Sequence, residues 1–221
     1  MWHVKKDIGR AKRQLFQALR QGIGDERVLQ AMERVPRELF LSPEIRHLAY
    51  DDIPLPIGEG QTISQPFVVA MMTSALNLRP TDKVMELGTG SGYQAAILSL
   101  LTSQGKIITL ERVPKLASAA QRLLQSLDYH NVDVRVASKF LGCQEEVPFD
   151  AIIVAAAAPK LPEVLLNQIK IGGRMVIPIG TLKEQELVRV LRTNEGPSLA
   201  MLGPCRFVPL IGEDAWPEEE C

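Results

Sequence analysis

The sequence predicts an α/β fold in which a mostly parallel, doubly wound sheet follows a helical extension at the amino terminus. Short β-branched runs alternate with helical segments from residue 83 to residue 179, and strands joined by single helices form parallel βαβ units. The first of these strands runs directly into glycines at positions 88, 90 and 92, which permit a sharp turn. With 221 residues and 46% hydrophobic content, the chain can bury a substantial core as one domain.

The segment before the first parallel strand is predicted to be largely helical. Apolar side chains recur at steps of three and four residues over residues 8–48. Asp25 follows a glycine and can cap a second helix. Prolines and glycines crowd residues 52–65, which predicts a structured loop. Pro66 then suits the first turn of a helix that runs towards Leu76.

Five apolar runs rich in β-branched residues are predicted to be the parallel strands: Lys83–Leu87, 106–110, Val132–Val136, 151–154 and 174–179. The helices between them are predicted at Tyr93–Leu101, 114–127 and 162–169. Two added strands are expected at 186–192 and 205–209, with an antiparallel edge among them.

Composition and charge argue against a nucleic-acid-binding or a membrane protein. The chain has 25 basic and 26 acidic residues, so no general electrostatic footprint for nucleic acid or an anionic membrane is expected. The basic run within residues 5–13 and the acidic run at 218–220 are interpreted as solvated surfaces. No apolar stretch reaches the ~18 residues that span a bilayer, and no signal peptide is evident, so a cytoplasmic location is expected.

The cysteines and histidines predict neither a disulfide framework nor a metal site. Cys143, Cys205 and Cys221 are widely spaced and form no C-x-x-C pair. The histidines at positions 3, 47 and 130 lack the spacing of metal ligands. A metal enzyme is therefore not expected.

The glycine turn and two acidic residues indicate a cofactor that contains a nucleoside. Glu111 ends the next apolar run, 23 residues past Gly88, where a carboxylate can accept hydrogen bonds from both hydroxyls of a ribose. A dinucleotide-binding turn would need its third glycine at position 93, which is Tyr93. Glu86, at the end of the first strand, suits S-adenosylmethionine, whose methionine ammonium needs hydrogen-bond acceptors rather than a phosphate cradle.

Both acids also have a structural interpretation. Glu86 can be a polar strand end, and Glu111 can stabilise the start of the helix at Pro114. The motif favours the cofactor role because the two acids accompany the same glycine turn. Asp150 precedes an apolar strand and is interpreted as a structural residue.

The loop before the first parallel strand indicates which protein family the chain resembles. Residues 58–66 are Gly-Glu-Gly-Gln-Thr-Ile-Ser-Gln-Pro, which resembles the G-x-G-Q-T-I-S-x-P loop of the protein-L-isoaspartate (D-aspartate) O-methyltransferases. The likeness covers most of the chain in the right order. The segments that carry it are 22–40, 86–94, 110–112, 148–154, 172–174 and 206–210.

The resemblance implies a Rossmann-like class I methyltransferase that depends on S-adenosyl-L-methionine. Such an enzyme methylates the free carboxylate of L-isoaspartyl residues in damaged proteins, with D-aspartyl residues as a further candidate, and so starts their repair. Its partners would be damaged proteins and peptides, without nucleic acid or membrane, and a monomer is expected. The single domain, 1–221, would comprise a helical extension with the substrate loop (1–78), a cofactor-binding core (79–180) and carboxyl-terminal strands (181–221).

The resemblance also implies roles for individual residues. Ser64 would orient the substrate carboxylate through a hydrogen bond, although a serine just before Pro66 also suits a helix N-cap. Gln61 and Val208 are expected to contact substrate, while the run 207–211 has an ordinary edge strand as its alternative. The expected cofactor contacts are Thr62, Ile63, Glu86, Gly88, Thr89, Gly90, Ser91, Gly92, Glu111, Ser138 and Lys139.

One segment departs from the family pattern. The family usually has Gly-Asp-Gly after the third strand, where it contacts the adenine, and this chain has Ala137, Ser138 and Lys139 instead. A serine lacks the charge-assisted strength of a carboxylate, and losing one hydrogen bond costs on the order of 0.5–1.5 kcal/mol, or up to about tenfold in affinity. Weakened cofactor binding is expected. A non-catalytic or altered family member, which binds protein or cofactor without efficient repair activity, is the alternative.

Overall fold

A computed structural model describes residues 7–220 of the chain. His3, Cys221 and the basic residues Lys5 and Lys6 lie outside the described residues. The helices are α1 (Ile8–Gly22), α2 (Glu26–Arg34), α3 (Pro66–Leu76), α4 (Tyr93–Leu101), α5 (Pro114–Ser126) and α6 (Glu163–Gln168). The strands are β1 (Leu55–Gly58), β2 (Gln61–Ile63), β3 (Lys83–Leu87), β4 (Lys106–Glu111), β5 (Val132–Val136), β6 (Phe149–Val154), β7 (Ile169–Gly180), β8 (Gln185–Thr193) and β9 (Gly196–Cys205).

The main sheet has seven strands in the order β5-β4-β3-β6-β7-β8-β9. The five strands from β3 to β7 in chain order run parallel. Strand β8 pairs antiparallel with β7, and β9 pairs antiparallel with β8. This confirms the predicted doubly wound α/β sheet with an antiparallel edge. The chain moves outward from β3 through β4 to β5 and then returns to pair β6 with β3. Ligands of such sheets bind outside the carboxyl ends of the strands at this switch point.

Both faces of the central strands are buried, as expected for a parallel sheet covered by helices. Alternate residues point to opposite faces: Val84 and Ile107 pack with Leu76 of α3, whereas Met85 and Ile108 pack with Leu165 of α6. The sheet is therefore sandwiched between two apolar layers, and only its edges remain for polar chemistry.

The amino-terminal helices form a third apolar cluster against α4. Asp25 caps α2 as predicted, because its side chain accepts hydrogen bonds from the backbone N–H groups of Arg27 at 3.1 Å and Val28 at 3.3 Å. The helical pattern of residues 8–48 resolves into α1, α2 and two short 3₁₀ segments, Arg37–Phe40 and Pro43–Leu48. This extension packs beside the site edge through α4, which follows the glycine turn.

The prediction of a loop over residues 52–65 is wrong in part. Strands β1 and β2 pair antiparallel there, with Leu55 opposite Ile63. The prolines that weakened the strand prediction are tolerated because a two-stranded ribbon consists of edge strands only. Glu59 turns the ribbon with a φ of 52°. We call residues 55–63 the hairpin.

The predicted strand at 205–209 is also misplaced. Strand β9 occupies Gly196–Cys205 and pairs with β8 through a tight connection at Thr193 and Gly196. Glycine and proline in β9 lower its strand signal, but an edge strand accepts them. The chain leaves the sheet after Cys205, and Pro209 makes only an isolated bridge with Ala157.

Candidate active site

The glycine turn follows β3 directly at the carboxyl edge of the sheet. Gly88, Gly90 and Gly92 have φ values of 96°, 53° and 88°, a backbone region that other residues adopt only with strain. The backbone N–H of Gly88 donates to the carbonyl of Leu110 at 2.9 Å, and that of Thr89 donates to the same oxygen at 3.3 Å. The turn is thus fastened to the end of β4.

Glu86 lies in β3 just before the turn and is completely buried. Its Oε2 accepts a 2.6 Å hydrogen bond from the Thr109 hydroxyl of the neighbouring strand β4. Its Oε1 is buried and has no hydrogen-bond partner within residues 7–220. Burial raises the pKa of Glu86 to about 8, and the charge of Glu111 adds to this shift. An acceptor this deep without a partner fits a ligand that brings its own donor.

Glu111 ends β4 and is 6% exposed. Its Oε2 accepts a 2.8 Å hydrogen bond from the backbone N–H of Gly90, and its Oε1 accepts a 2.9 Å hydrogen bond from that of Val113. The carboxylate therefore joins the glycine turn to the start of α5. Each oxygen keeps a further lone pair, so the structural interpretation and the capacity to bind a diol coexist.

The hairpin lies over the glycine turn. A Cβ atom at Gly90 would stand 3.2 Å from Cδ1 of Ile57 in β1. At the tip of the hairpin, Oε1 of Glu59 lies 2.6 Å from Nζ of Lys115 in the first turn of α5. These two contacts hold the segment of Gln61, Thr62, Ile63 and Ser64 above the cofactor edge.

Ser64 follows β2 and is half-buried. The N-cap of α3 is Gln65, not Ser64, so the helix-cap interpretation of Ser64 is wrong. Asp52 satisfies this helix end instead, since its Oδ1 accepts a 2.8 Å hydrogen bond from the backbone N–H of Phe67. The Ser64 hydroxyl makes no hydrogen bond to any residue of the described range and remains available to a ligand.

Other members of the predicted set lie on the same loops. Ser91 Oγ accepts a 3.3 Å hydrogen bond from the Tyr93 backbone N–H at the start of α4. Thr62 is exposed, Ile63 is buried in the core, and Gln61 Nε2 lies 3.5 Å from the carbonyl of Glu59. The hairpin thus offers polar atoms outward from an apolar base.

Val208 reaches the carboxyl edge from the other side. Its carbonyl accepts a 2.8 Å hydrogen bond from Ala157, just after β6, and the side chain is 38% exposed. Gln185 holds the segment in place, because its Oε1 accepts a 2.6 Å hydrogen bond from the Phe207 backbone. The run 207–211 is therefore held beside the carboxyl end of β6 and is not an edge strand of the main sheet.

The segment after β5 carries the departure from the family pattern. Ser138 Oγ accepts a 3.2 Å hydrogen bond from the backbone N–H of Phe140 and lies 3.1 Å from its carbonyl, so this hydroxyl serves its own turn. Lys139 is exposed, and its Nζ lies 4.8 Å from the ring centroid of Phe140. Gln168 anchors the next residues through the carbonyl of Leu141 and the N–H of Cys143.

The carboxyl-terminal segment also reaches this edge, which the sequence did not indicate. Arg112 Nη1 lies 2.7 Å from Oε1 of Glu218, and a Cβ at Gly212 would stand 2.9 Å from the Leu141 side chain. Sequence reasoning likewise missed Thr109 and Asp52. The strand register could have found Thr109, opposite Glu86, but no local signal links Asp52 to a helix 15 residues away.

The residues present fit S-adenosylmethionine. The orphaned oxygen of Glu86 suits an ammonium group, Glu111 suits a ribose, and the glycine turn leaves room for close backbone approach. A cavity of about 590 Å³ lies elsewhere, at the amino edge of the sheet, where Arg34, Tyr129 and Asn131 help to line it. No predicted site residue contributes to it.

Among residues 7–220, no three histidine, cysteine or acidic side chains are grouped to hold a metal ion. None of the helices described combines the length and the apolar character needed to span a bilayer.

Comparison with known proteins places these features in one family. The family model for protein-L-isoaspartate (D-aspartate) O-methyltransferase matches residues 10–215. A protein of Syntrophotalea carbinolica named protein-L-isoaspartate O-methyltransferase is 50% identical over 204 residues, which is 92% of this chain and 93% of that protein.

Two solved structures resemble the fold over most of its length. A protein-L-isoaspartate O-methyltransferase superposes with a TM-score of 0.82 and 28% identity, covering 92% of this chain and 67% of its own. A beta-aspartate methyltransferase of Plasmodium falciparum, solved with S-adenosyl-L-homocysteine, has a TM-score of 0.76 and 27% identity, with 89% and 96% covered.

The contact between the hairpin and α5 makes a testable prediction. Lys115→Glu places two acids together at the hairpin tip, and their repulsion should loosen it. We expect faster amide hydrogen exchange in a peptide that covers residues 58–63, measured by mass spectrometry. Exchanging the charges, Glu59→Lys with Lys115→Glu, should restore slow exchange.

The matched control is Arg122→Glu, the same charge change at an exposed position of α5. Equal acceleration in this control and in Lys115→Glu, or no recovery in the exchanged pair, would contradict the contact.

Proposed function

Because the chain belongs to the protein-L-isoaspartate (D-aspartate) O-methyltransferase family, we propose that it transfers a methyl group from S-adenosyl-L-methionine to the free carboxylate of L-isoaspartyl residues in damaged proteins. The observation that carries the proposal is the G-x-G-Q-T-I-S-x-P segment, which forms the tip and second strand of the hairpin above the glycine turn and continues to the start of α3. D-Aspartyl residues are a second substrate class to test, since they too expose a misplaced carboxylate.

The cofactor would lie along the carboxyl ends of β3 and β4. Glu86 would accept from its ammonium group, Glu111 would accept from its ribose hydroxyls, and the backbone of Gly88 to Gly92 would border it. When bound, the cofactor supplies an electrophilic methyl group on a positively charged sulfur. Thr62 and the backbone of Ile63 in the hairpin would cover it from above.

The substrate needs orientation rather than activation. A carboxyl group has an ordinary pKa near 4 and is already anionic at neutral pH, so no strong general base is required. The free hydroxyl of Ser64 would donate a hydrogen bond to one oxygen of that carboxylate and aim the other at the methyl group. Holding the two reactants in line and excluding water accounts for the rate gain. Gln61 and Val208 would contact the peptide around the defect.

The protein is further proposed to act as a monomer in the cytoplasm on many different proteins. The recognised group is a backbone defect rather than a folded surface. With a formal charge of −1, the chain has no strong field that would select acidic or basic partners.

A second candidate function is supported by the segment after β5. Neither Ser138 nor Lys139 has the carboxylate that family members direct at the adenine, and the Ser138 hydroxyl is already engaged in its own turn. This favours an altered member that binds protein or cofactor without efficient repair activity.

The proposed function is tested by methyl transfer. We expect incorporation of radiolabelled methyl groups into a peptide with one L-isoaspartyl residue, and none into the same peptide with a normal aspartyl residue. Calorimetry with S-adenosylhomocysteine accompanies the assay. Binding without methyl transfer at saturating cofactor would support the altered member instead.

Two variants separate the roles of serine and acid. Ser64→Ala should lower kcat about ten- to hundredfold, because it removes a hydrogen bond to a charged group, and should leave the Kd of S-adenosylhomocysteine within about twofold. Glu111→Ala should weaken S-adenosylhomocysteine binding about ten- to hundredfold by the same arithmetic. Equal effects of both variants on cofactor affinity, measured by calorimetry, would refute the assignment.

The departure after β5 is tested by restoring the family residues. Ser138→Asp with Lys139→Gly should tighten S-adenosylhomocysteine binding by up to about tenfold, the value of one good hydrogen bond. Lys139→Gly alone is the matched control, because it removes the side chain without adding an acceptor. Unchanged affinity in the double variant would mean that other groups already satisfy the adenine.

A further inference from the structure

A buried chain of two hydroxyls ends on the Glu86 carboxylate. The Thr89 and Thr109 hydroxyl oxygens are 2.6 Å apart, and the Thr109 hydroxyl lies 2.6 Å from Glu86 Oε2. Glu86 and Thr109 are 0% exposed and Thr89 is 3% exposed. Water is thus kept from the inner two groups, and the chain leads from the glycine turn into the sheet.

The backbone fixes this arrangement. Glu86 and Thr109 are register partners in the parallel pair β3 and β4, so their side chains stand beside each other on one face. Thr89 is held close by its own backbone hydrogen bond to the Leu110 carbonyl at 3.3 Å. None of the three side chains can turn to solvent without moving a strand or the turn.

Proton counting gives the chain a direction. A hydroxyl has one proton to donate, so when Thr109 donates to an ionised Glu86 it must accept from Thr89. This order favours the ionised carboxylate, and it leaves Oε1 free to accept from a cation. A neutral Glu86 carboxyl group carries its own proton and does not need a donor. The donated hydrogen bond from Thr109 therefore favours the ionised form.

We propose that Thr109, supported by Thr89, is a positioning residue that stabilises the ionised form of Glu86 and aims its carboxylate at the cofactor ammonium group, and that cofactor binding is coupled to release of one proton from Glu86. The inference rests on the proposed function, since it takes the ligand to be S-adenosylmethionine. The released proton passes to solvent, and no other covalent change occurs.

The field around Glu86 gives the sign of the pH dependence. Burial raises the pKa of Glu86 to about 8. The Thr109 hydrogen bond lowers this pKa, and the neighbouring Glu111 raises it further. Below about pH 8 the empty site holds a neutral carboxyl group that must lose its proton when a cation binds. Affinity should therefore fall about tenfold per pH unit as the pH drops further below 8.

The experiment is calorimetry of S-adenosylhomocysteine binding to the full chain, in buffers of different ionisation enthalpy, across the pH range around 8. The heats give the number of protons released at each pH. Wild-type protein should release close to one proton well below pH 8, and the release should fall to half near pH 8. Any proton from the ligand amine is common to all variants and cancels in the comparison.

Thr109→Val keeps the shape of the side chain and removes the hydroxyl. We expect its proton-release midpoint to move upward and its affinity at neutral pH to fall about ten- to hundredfold, the value of a hydrogen bond to a charged group. Thr109→Ser should return both quantities towards the wild type. Glu86→Gln should abolish the Glu86 proton release altogether.

An unchanged midpoint in Thr109→Val, or wild-type binding without proton release, would overturn the proposal while leaving the proposed function intact. Absence of S-adenosylhomocysteine binding to the wild type at millimolar ligand would instead count against the proposed function. If Thr109→Val does not fold, Thr89→Val removes only the outer hydroxyl. It should give a smaller upward shift, and no shift would overturn the proposal.

Discussion

The attachment of the glycine turn to β4 is the constraint on which the rest of the site depends. Two backbone N–H groups donate to the Leu110 carbonyl, and a third, from Gly90, donates to the Glu111 carboxylate. Glycine adopts the positive φ values of the turn without strain, so these contacts to β4 fix where the turn lies. Because the same carboxylate also holds the start of α5, the turn, the strand end and the helix behave as one rigid unit.

The two acids of the site show how environment divides the roles of identical groups. Glu111 accepts hydrogen bonds from two backbone N–H groups, so each of its oxygens already has a donor. Glu86 accepts one hydrogen bond, from a hydroxyl, and its other oxygen is buried without a partner within residues 7–220, which disfavours its charge. Burial of Glu86 beside Glu111 thus opposes the ionisation of Glu86 in the empty crevice, and a cation bound there would favour it.

Much of the fold was predictable because its signals are local. The boundaries of β3, α3 and α4 follow directly from Pro66, the glycine turn and the buried β-branched runs, and the structure confirms them. Strands β1 and β9 were missed or misplaced because proline and glycine suppress strand signals, while edge positions tolerate these residues. Their existence depends on pairing partners, which composition does not reveal.

In the candidate site, too, the residues with local sequence signals were predictable and those brought together by the fold were not. Glu86, Glu111 and the glycines lie together because all are at or just after the carboxyl ends of the adjacent parallel strands β3 and β4. The N-cap interpretation of Ser64 failed because Asp52, distant in sequence, satisfies the helix end. Thr109, Lys115 and Glu218 contact residues that are distant in sequence, Glu86, Glu59 and Arg112. A local sequence pattern therefore does not identify them.

The position of the hairpin has a kinetic consequence. Ile57 and Glu59 lie directly above the glycine turn and α5, and Ser64, the residue proposed to orient the substrate, directly follows the hairpin. A cofactor bound beneath the hairpin would be covered by it before the peptide arrives and until the peptide has left. Turnover should thus follow an ordered sequence in which the nucleoside enters first and departs last, so that demethylated cofactor lingering in the crevice acts as a brake on every cycle.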